Sequence, residues 1–227
     1  MSLTPAIWQS LLLTLELATV TTILLLLIGI PLAHWLNVSR WKGIIVIETL
    51  TTLPVVLPPT VIGFYLLMLF APQSPLGATW LQVTGQTLAF SFPGLVVGSI
   101  IYSLPFAVQP FQAALKSVPA VLIESARISG ANRLQIFRHV VFPIARQGIG
   151  VGVTLSFAHT VGEFGLVLML GGSIPGQTRV ASIALYDEVQ KLNYPQAHLI
   201  AAILLVLAFS LILVMKFFQR PESDSSL

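Results

Sequence analysis

Hydrophobic positions in this chain are gathered into long runs instead of alternating with polar ones. Five apolar runs stand out, residues 11–33, 44–70, 90–115, 148–171 and 197–217, and the segments between them hold most of the charge. A bilayer core needs about 20 apolar residues at a rise of about 1.5 Å each, so each run predicts a transmembrane helix. The expected fold is an all-α integral membrane protein with five spans in one domain over residues 1–227, and its termini lie on opposite sides of the membrane. The second run contains Pro54, Pro58 and Pro59 and the third Pro93, Pro105 and Pro110. Each proline removes a backbone donor and crowds the preceding turn, so a straight helix through the second run is not expected. The break there is either a packed kink or interrupted backbone lining a pathway, since backbone freed at membrane depth must face protein or a water-filled cavity. Gly94, Gly98 and Ser99 allow a close helix approach. No internal repeat is found, so a two-fold pathway would need a second copy of the chain.

The linking segments predict further elements. In the loop over residues 116–146, Pro119 starts a helix through about Ser129, Gly130 stops it, and a second helix from about Asn132 turns back to the membrane, with Pro143 marking the start of the fourth span. Two short helices thus form a knob between the third and fourth spans. On the opposite side, Ser173-Ile174-Pro175-Gly176 reads as a turn. Residues 181–190 form either a short interfacial helix or a solvated loop.

Composition removes the soluble classes. Hydrophobic residues make up 56% and charged residues 8% of the chain, against about a quarter charged in soluble domains, and the mean hydropathy is +0.91. The net charge of +3 lies in segments flanking the spans, which reads as membrane orientation and not as nucleic-acid binding. Arg40 and Lys42 follow the first span, Lys116 to Arg146 the third, and Lys216 with Arg220 the fifth, so the N-terminus is expected outside and the C-terminus in the cytoplasm. The first run has no basic leader before it and is expected to remain as a span. Cysteine is absent, which excludes disulfides and thiol catalysis. Residues 220–227 read as a polar tail.

Candidate chemistry sits inside the spans. Glu163 is an ionisable group at membrane depth, and His159, four residues earlier, is expected to pair with it on one helix face. A carboxylate would repel an anion, so Glu163 is read as a packing or gating residue more than as a substrate contact. Glu48 can reach toward Lys42, and Glu16 has no evident partner. Arg179 is read as an outer-face contact for an oxyanion, for a docking protein, or for Asp187. The hydroxyls of Thr14, Thr19, Thr21, Thr22, Thr51, Thr52, Thr60, Ser99, Ser103, Thr154 and Ser156 line a weakly binding route or, for the most part, bond between helices. A Ser156–His159 hydrolase dyad lacks an oxyanion-hole motif, and H-E-x-x-H is absent. No G-x-x-x-x-G-K-[ST] occurs, because none of the four lysines follows a glycine; the chain cannot cradle ATP phosphates itself.

Glu124-Ser125-Ala126, Gly130, Val140, Phe142 and Pro143 have the spacing of E-A-A-x3-G-x9-I-x-L-P. On these residues the loop resembles the coupling region of type I ABC-importer permeases. Arg127, Arg133 and Arg138 add charge around it. Ser125 replaces the second alanine, Val140 the isoleucine and Phe142 the leucine, all mild changes. Leu53-Pro54-Val55-Val56-Leu57-Pro58-Pro59, Ala89-Phe90-Ser91-Phe92, Gly162-Glu163-Phe164-Gly165 and Ile174-Pro175-Gly176-Gln177-Thr178-Arg179 resemble the molybdate permease branch, so the similarity covers nearly the whole chain. The resemblance implies a permease subunit for molybdate, with tungstate or sulfate and thiosulfate as alternatives, in a bacterial inner membrane. It also implies a homodimer, two separate ATP-binding subunits that hold ATP and Mg, and an extracytoplasmic oxyanion-binding protein, while this chain has no catalytic, metal or cofactor site. Glu124, Ser125, Ala126, Arg127, Gly130, Arg133 and Pro143 are then the expected ATPase-coupling residues, and Pro54, Pro58, Pro59, His159 and Glu163 the candidate pathway or gate. An ion-coupled secondary transporter remains the reading from a different class, with Glu163, His159 and Glu16 as proton carriers; such a carrier has no need of the knob.

Overall fold

Pro5, at the first helical position where its missing N–H costs nothing, opens α1 (Pro5–Val38). The buried residues Ile7, Leu11, Thr14, Ala18, Thr21, Leu25, Gly29, Ala33 and Leu36 recur every three or four positions and make one stripe along the helix. At about 51 Å the helix exceeds the hydrocarbon core at both ends. This computed structural model describes residues 4–219, and among them every regular element is a helix. Arg220 and the polar tail lie outside the described residues.

The second run is not one span. It divides into α2 (Ile44–Thr52), a 3-10 turn over Leu53–Val55 and α3 (Pro59–Phe70), and the chain direction bends by 112° between the two arms. The prolines explain the geometry. Pro54 sits in the tight turn, Pro59 occupies the first position of α3, and the ring of Pro59 keeps Pro58 out of the helical region, at φ −55° and ψ 135°. The charge-free outer segment, for which the sequence predicts no element, holds α4 (Pro75–Thr84). Ser74 Oγ caps it by accepting from the Gly77 N–H at 2.9 Å, and Gly85 ends it with φ +73°. α5 (Phe92–Lys116) is capped in the same way by Ser91 and remains one helix through Pro105 and Pro110.

In the loop, α6 (Ala120–Ile128) ends as expected at Gly130, whose φ of +83° suits a residue without Cβ. Asn132 then starts α7 (Arg133–Ile136) with a reciprocal capping box to Gln135, at 2.8 and 2.9 Å. The fourth span departs from expectation at both ends. α7 continues through a π turn at Phe137–Val141 into α8 (Phe142–Val161), a single apolar helix over Arg133–Val161. The second helix of the knob is therefore the near end of the span, and Pro143 lies inside it. The wider π turn immediately before Pro143 relieves the clash its ring would make one turn back. At the far end the helix stops at Val161. Gly162, Glu163 and Phe164 break it, and α9 (Gly165–Gly171) is a separate short helix. Of the two readings for residues 181–190, helix or solvated loop, the structure has the helix, α10 (Ala181–Gln190), and α11 (Tyr194–Gln219) buries only Ala197 and Ile200. Among the described residues four helices are long and apolar enough to cross a membrane, and α2–α3 passes the same test only as a bent pair, a broken span or a re-entrant loop, which counted as one span brings the number to five.

Among the described residues three apolar cores share the bundle: the smallest joins Ile7 and Leu11 of α1 to Ala181 and Ala184 of α10 and Ile200 of α11, and two larger ones flank its middle. One joins Leu13 and Leu17 of α1 to Leu95 of α5, Leu66 of α3 and Leu166 and Leu170 of α9. The other joins Leu25, Ala33 and Leu36 of α1 to Val108 and Phe111 of α5 and Ile149 of α8. Between them, at the middle of α1, lie buried Thr21 and Thr22, and level with these in the order of α5 lie buried Ser99 and Ser103.

Candidate functional site

The polar layer between the cores is built from an antiparallel ladder. Ser99 and Ser103 stand one turn apart on α5, and His159 and Glu163 have the same spacing across the end of α8. Ser99 Oγ donates to Glu163 Oε2 at 2.8 Å, and Ser103 Oγ hydrogen-bonds His159 Nδ1 at 2.9 Å and Thr160 Oγ1 at 3.0 Å. Phe106 stacks on the His159 ring at 3.9 Å and Tyr102 packs beside it. Ser182 Oγ of α10 donates to the Glu163 carbonyl at 2.6 Å. The expected His159–Glu163 pair is not formed. The backbone leaves the helix at Gly162, and each side chain takes a serine of α5 instead. Glu163 is 4% exposed and its Oε1 has no protein partner; Thr21 Oγ1 and Thr22 Oγ1 are likewise buried without one.

The two backbone breaks meet beside this ladder. A Cβ on Gly165 would approach the Pro59 ring at 3.0 Å, and one on Gly63 would come within 2.8 Å of Met169, so α3 and α9 pack through glycines. Pro59 thus adjoins the Glu163 break, whereas Pro54 is buried in its own turn and Pro58 is exposed. Most other hydroxyls behave differently from the expected interhelical bonding. Thr19, Thr51, Thr154 and Ser156 donate to carbonyls of their own helices, and among these hydroxyls Thr14 joins Ser99 and Ser103 in bonding across, by accepting from the Ala181 N–H at 2.7 Å. Ser156 makes no dyad with His159. Glu48 does not reach Lys42 but accepts from Gln112 Nε2 at 3.2 Å, and Asn37 Nδ2 in turn donates to the Gln112 carbonyl. Glu16 lines an outer groove with Gln86, Ser91 and Gln177.

Arg179 is committed elsewhere. Its Nε lies 3.0 Å from Asp187 Oδ2, an ion pair whose N–H does not point at the oxygen, and its Nη2 lies 3.7 Å from Glu188. Its side chain is only 13% exposed. Of its three readings, the ion pair with Asp187 is the one present. Lys191 and Asn193 close the network on Glu188 at 3.0 and 2.7 Å. The hydrogen bond from Lys191, followed by that from Asn193 and the charges of Lys191 and Arg179, outweighs burial and holds the Glu188 carboxyl below the usual carboxylate range.

The second region is the knob. α6 buries no residue. Ile123 turns inward against the lower core, where Ile136 is buried, and this anchors the loop. Outward stand Val121 at 68%, Ile128 at 89% and Leu134 at 74% exposure. Glu124, Ser125, Arg127 and Arg133 are exposed around them and Ala126 is half-buried. Ala126, Gly130, Ala131, Gln135 and His139 line a cleft of about 390 Å³ between α6 and the helix that follows. An apolar set uncovered on a polar knob marks a surface made for a partner. Pro143 is not part of it, being exposed farther along α8.

Sequence reasoning named Ser99 and Ser103 only among many hydroxyls, and missed Thr160, Ser182, Tyr102 and Phe106. The available signal was the matching four-residue spacing of Ser99 to Ser103 and of His159 to Glu163.

The profile of a family described as "Binding-protein-dependent transport system inner membrane component" matches residues 25–220. The chain is 45% identical over 216 residues to the molybdenum transport system permease protein ModB of Azotobacter vinelandii, covering 94% of this chain and 95% of that protein. It is 34% identical over 201 residues to the sulfate transport system permease protein CysT of Salmonella typhimurium, covering 88% and 72% respectively. Among solved structures, a bacterial ABC transporter involved in import of the acidic polysaccharide alginate superposes with a TM-score of 0.77 at 19% identity, over 97% of this chain and 82% of that one. That likeness extends to the fold alone.

Proposed function

Since the chain belongs to the family of binding-protein-dependent transport system inner membrane components, we propose that it is the membrane-spanning half of an ATP-driven molybdate importer. The similarity to the Azotobacter vinelandii protein over nearly both whole lengths carries the cargo reading. The exposed apolar set on α6 and α7 supports the coupling reading: Val121, Ile128 and Leu134 enter a cleft on an ATP-binding subunit, and Glu124, Arg127 and Arg133 supply complementary charge around them. That partner hydrolyses ATP with Mg, because this chain has no phosphate-cradling loop. Two ATPase copies serve two permease copies. The uncovered α2–α3 face, with Val56 80% and Tyr65 68% exposed, is where the second permease sits, and an extracytoplasmic oxyanion-binding protein delivers cargo to the opposite side.

The orientation follows from charge. The knob lies against the end of α1 that carries Leu36, and α10 packs on the end that carries Ile7. Eight of the ten described Lys and Arg residues are on the knob side, with Arg179 and Lys191 opposite. That side is the cytoplasm by the positive-inside rule, and the N-terminus is outside. Within the membrane, the Ser99–Glu163 and Ser103–His159 ladder with the adjoining Pro59 break is the gate region, and it holds the pathway by hydrogen bonds that can be exchanged.

Reconstitution with the cognate ATPase and binding protein tests the reading. The expected result is ATP-dependent uptake of labelled molybdate that persists under excess sulfate. The similarity to CysT motivates the alternative cargo, and sulfate uptake without molybdate uptake would establish it. Uptake that proceeds without ATP would return the protein to the ion-coupled class.

A further inference from the structure

A groove of about 600 Å³ runs along the end of α1 beneath the knob. One end is apolar, with Ile30 and Pro31 of α1 on its wall, and Leu115 of α5 lines it closer to the knob. The other end carries Arg127 and Arg133 from the knob, and His34 lies between. From Ile30 to Val38 the helix rises about 12 Å, so the groove begins at hydrocarbon depth and ends among cations. Trp35 on the same turns is 45% exposed, which is the place of an aromatic at a membrane surface. Neither Arg127 nor Arg133 makes an ion pair among the described residues. No carboxylate lines the groove.

An apolar slot that opens onto two unpaired guanidinium groups at the cytoplasmic surface has the chemistry of one amphiphile with a negative head. A soluble anion would use the cations and leave the slot wet, and an uncharged lipid would leave the cations idle. We propose that this groove seats one anionic phospholipid of the cytoplasmic leaflet, its phosphate between Arg127 and Arg133 and an acyl chain along Ile30, Pro31 and Leu115. Basic pockets between transmembrane helices on this side favour such headgroups, and guanidinium forks suit phosphate oxygens. The lipid then lies under the loop that couples to the ATPase, and membrane composition acts on that loop directly. This inference rests on the orientation read above but not on the cargo.

Native mass spectrometry of the full-length permease, alone and in complex with its ATPase, tests it with phosphatidylglycerol and phosphatidylcholine offered in equal amounts. The expected result is one phosphatidylglycerol retained per permease chain in both forms. Arg127→Gln and Arg133→Gln should each weaken retention about five-fold. Val38→Trp, which narrows the slot and keeps both arginines, should abolish it. Arg40→Gln with Lys42→Gln, outside the groove, should leave it intact. Equal retention of both lipids, or dependence on Arg40 and Lys42 in place of the groove arginines, overturns the proposal. Loss of the lipid on assembly with the ATPase also overturns it, and assigns the groove to the partner. Absence of ATPase association with lipid retention unchanged would count against the coupling reading alone.

Discussion

Ser99 holds the buried Glu163 carboxyl and Ser103 holds the His159 ring, so their removal costs more than that of a hydrogen bond between exposed groups would. Ser99→Ala leaves Glu163 without its Oε2 bond as well as its Oε1 partner. An orphaned buried acceptor costs about 1–3 kcal/mol, whereas apolar replacement of both partners is nearly neutral. Thermal unfolding of the purified chain should therefore show Ser99→Ala clearly destabilised and the Ser99→Ala, Glu163→Leu pair less so; a double variant worse than the sum of the singles would sink the ladder as drawn. Glu188 supplies the pH-dependent case. Its carboxyl is held below the ordinary value of about 4.3, so its contribution is fully present above that pH and is lost as acid protonates it through the lower folded value. Hydrogen exchange along residues 181–190 should be flat in Glu188's contribution from pH 5 to 8 and rise in protection loss only below about pH 4, with Glu188→Gln removing that acid limb. At this scale the sequence was legible in residue types but not in pairings. Glu163 and His159 were recognised as depth-anomalous, yet their four-residue spacing pointed to each other because nothing in a one-dimensional pattern announces that the helix ends between them.

Helices announced by hydropathy were found where expected, and the ends were found where local chemistry put them. α10 matches its predicted range and α6 stops at Gly130. By contrast, averaging over an apolar window hid the Gly162–Phe164 break, because Val161 before it and Leu166, Val167 and Leu168 after it keep the mean high. α4 was hidden for the opposite reason: a segment without charge gave no amphipathic face, though Ser74-Pro75 is a strong start. Gly130 and Gly165 separate two uses of glycine. Nothing lies within 4 Å of a Cβ on Gly130, so Gly130→Ala acts only through its left-handed backbone, at about 1–2 kcal/mol. It should lower ATPase stimulation by the permease while insertion stays normal. Gly63→Leu meets Met169 instead and should destabilise the α3–α9 contact by about 1–3 kcal/mol, seen as a lower unfolding temperature before any change in ATPase binding. The π turn has its own test. It holds one residue more than an α turn, so deleting Val140 should restore α-helix with the register of the flanking turns kept, and ATPase association should persist in a pull-down; lost association would show that the π geometry itself aims the knob.

For the molecule as a whole, the bundle holds its two larger apolar cores on either side of a thin polar layer, and it places its two candidate functional regions far apart. The four long helices followed from length and composition, since bilayer thickness imposes them, whereas the second run passes as a span only when its bent pair is counted as one. The bend in the second span was foreseen from its prolines, but its angle was not, because that depends on α9 offering Gly165 to Pro59. In the mechanism proposed above the knob and the ladder work together, and the helix over Arg133–Val161 joins them with one π turn along its length. From Arg133 to His159 that helix is a lever of about 39 Å, so a tilt of about 5° at the docked end moves the far end by roughly 3.4 Å. The Ser103–His159 contact spans 2.9 Å. A few degrees of leverage at the cytoplasmic surface therefore exceeds the reach of the bond that latches the middle of the membrane.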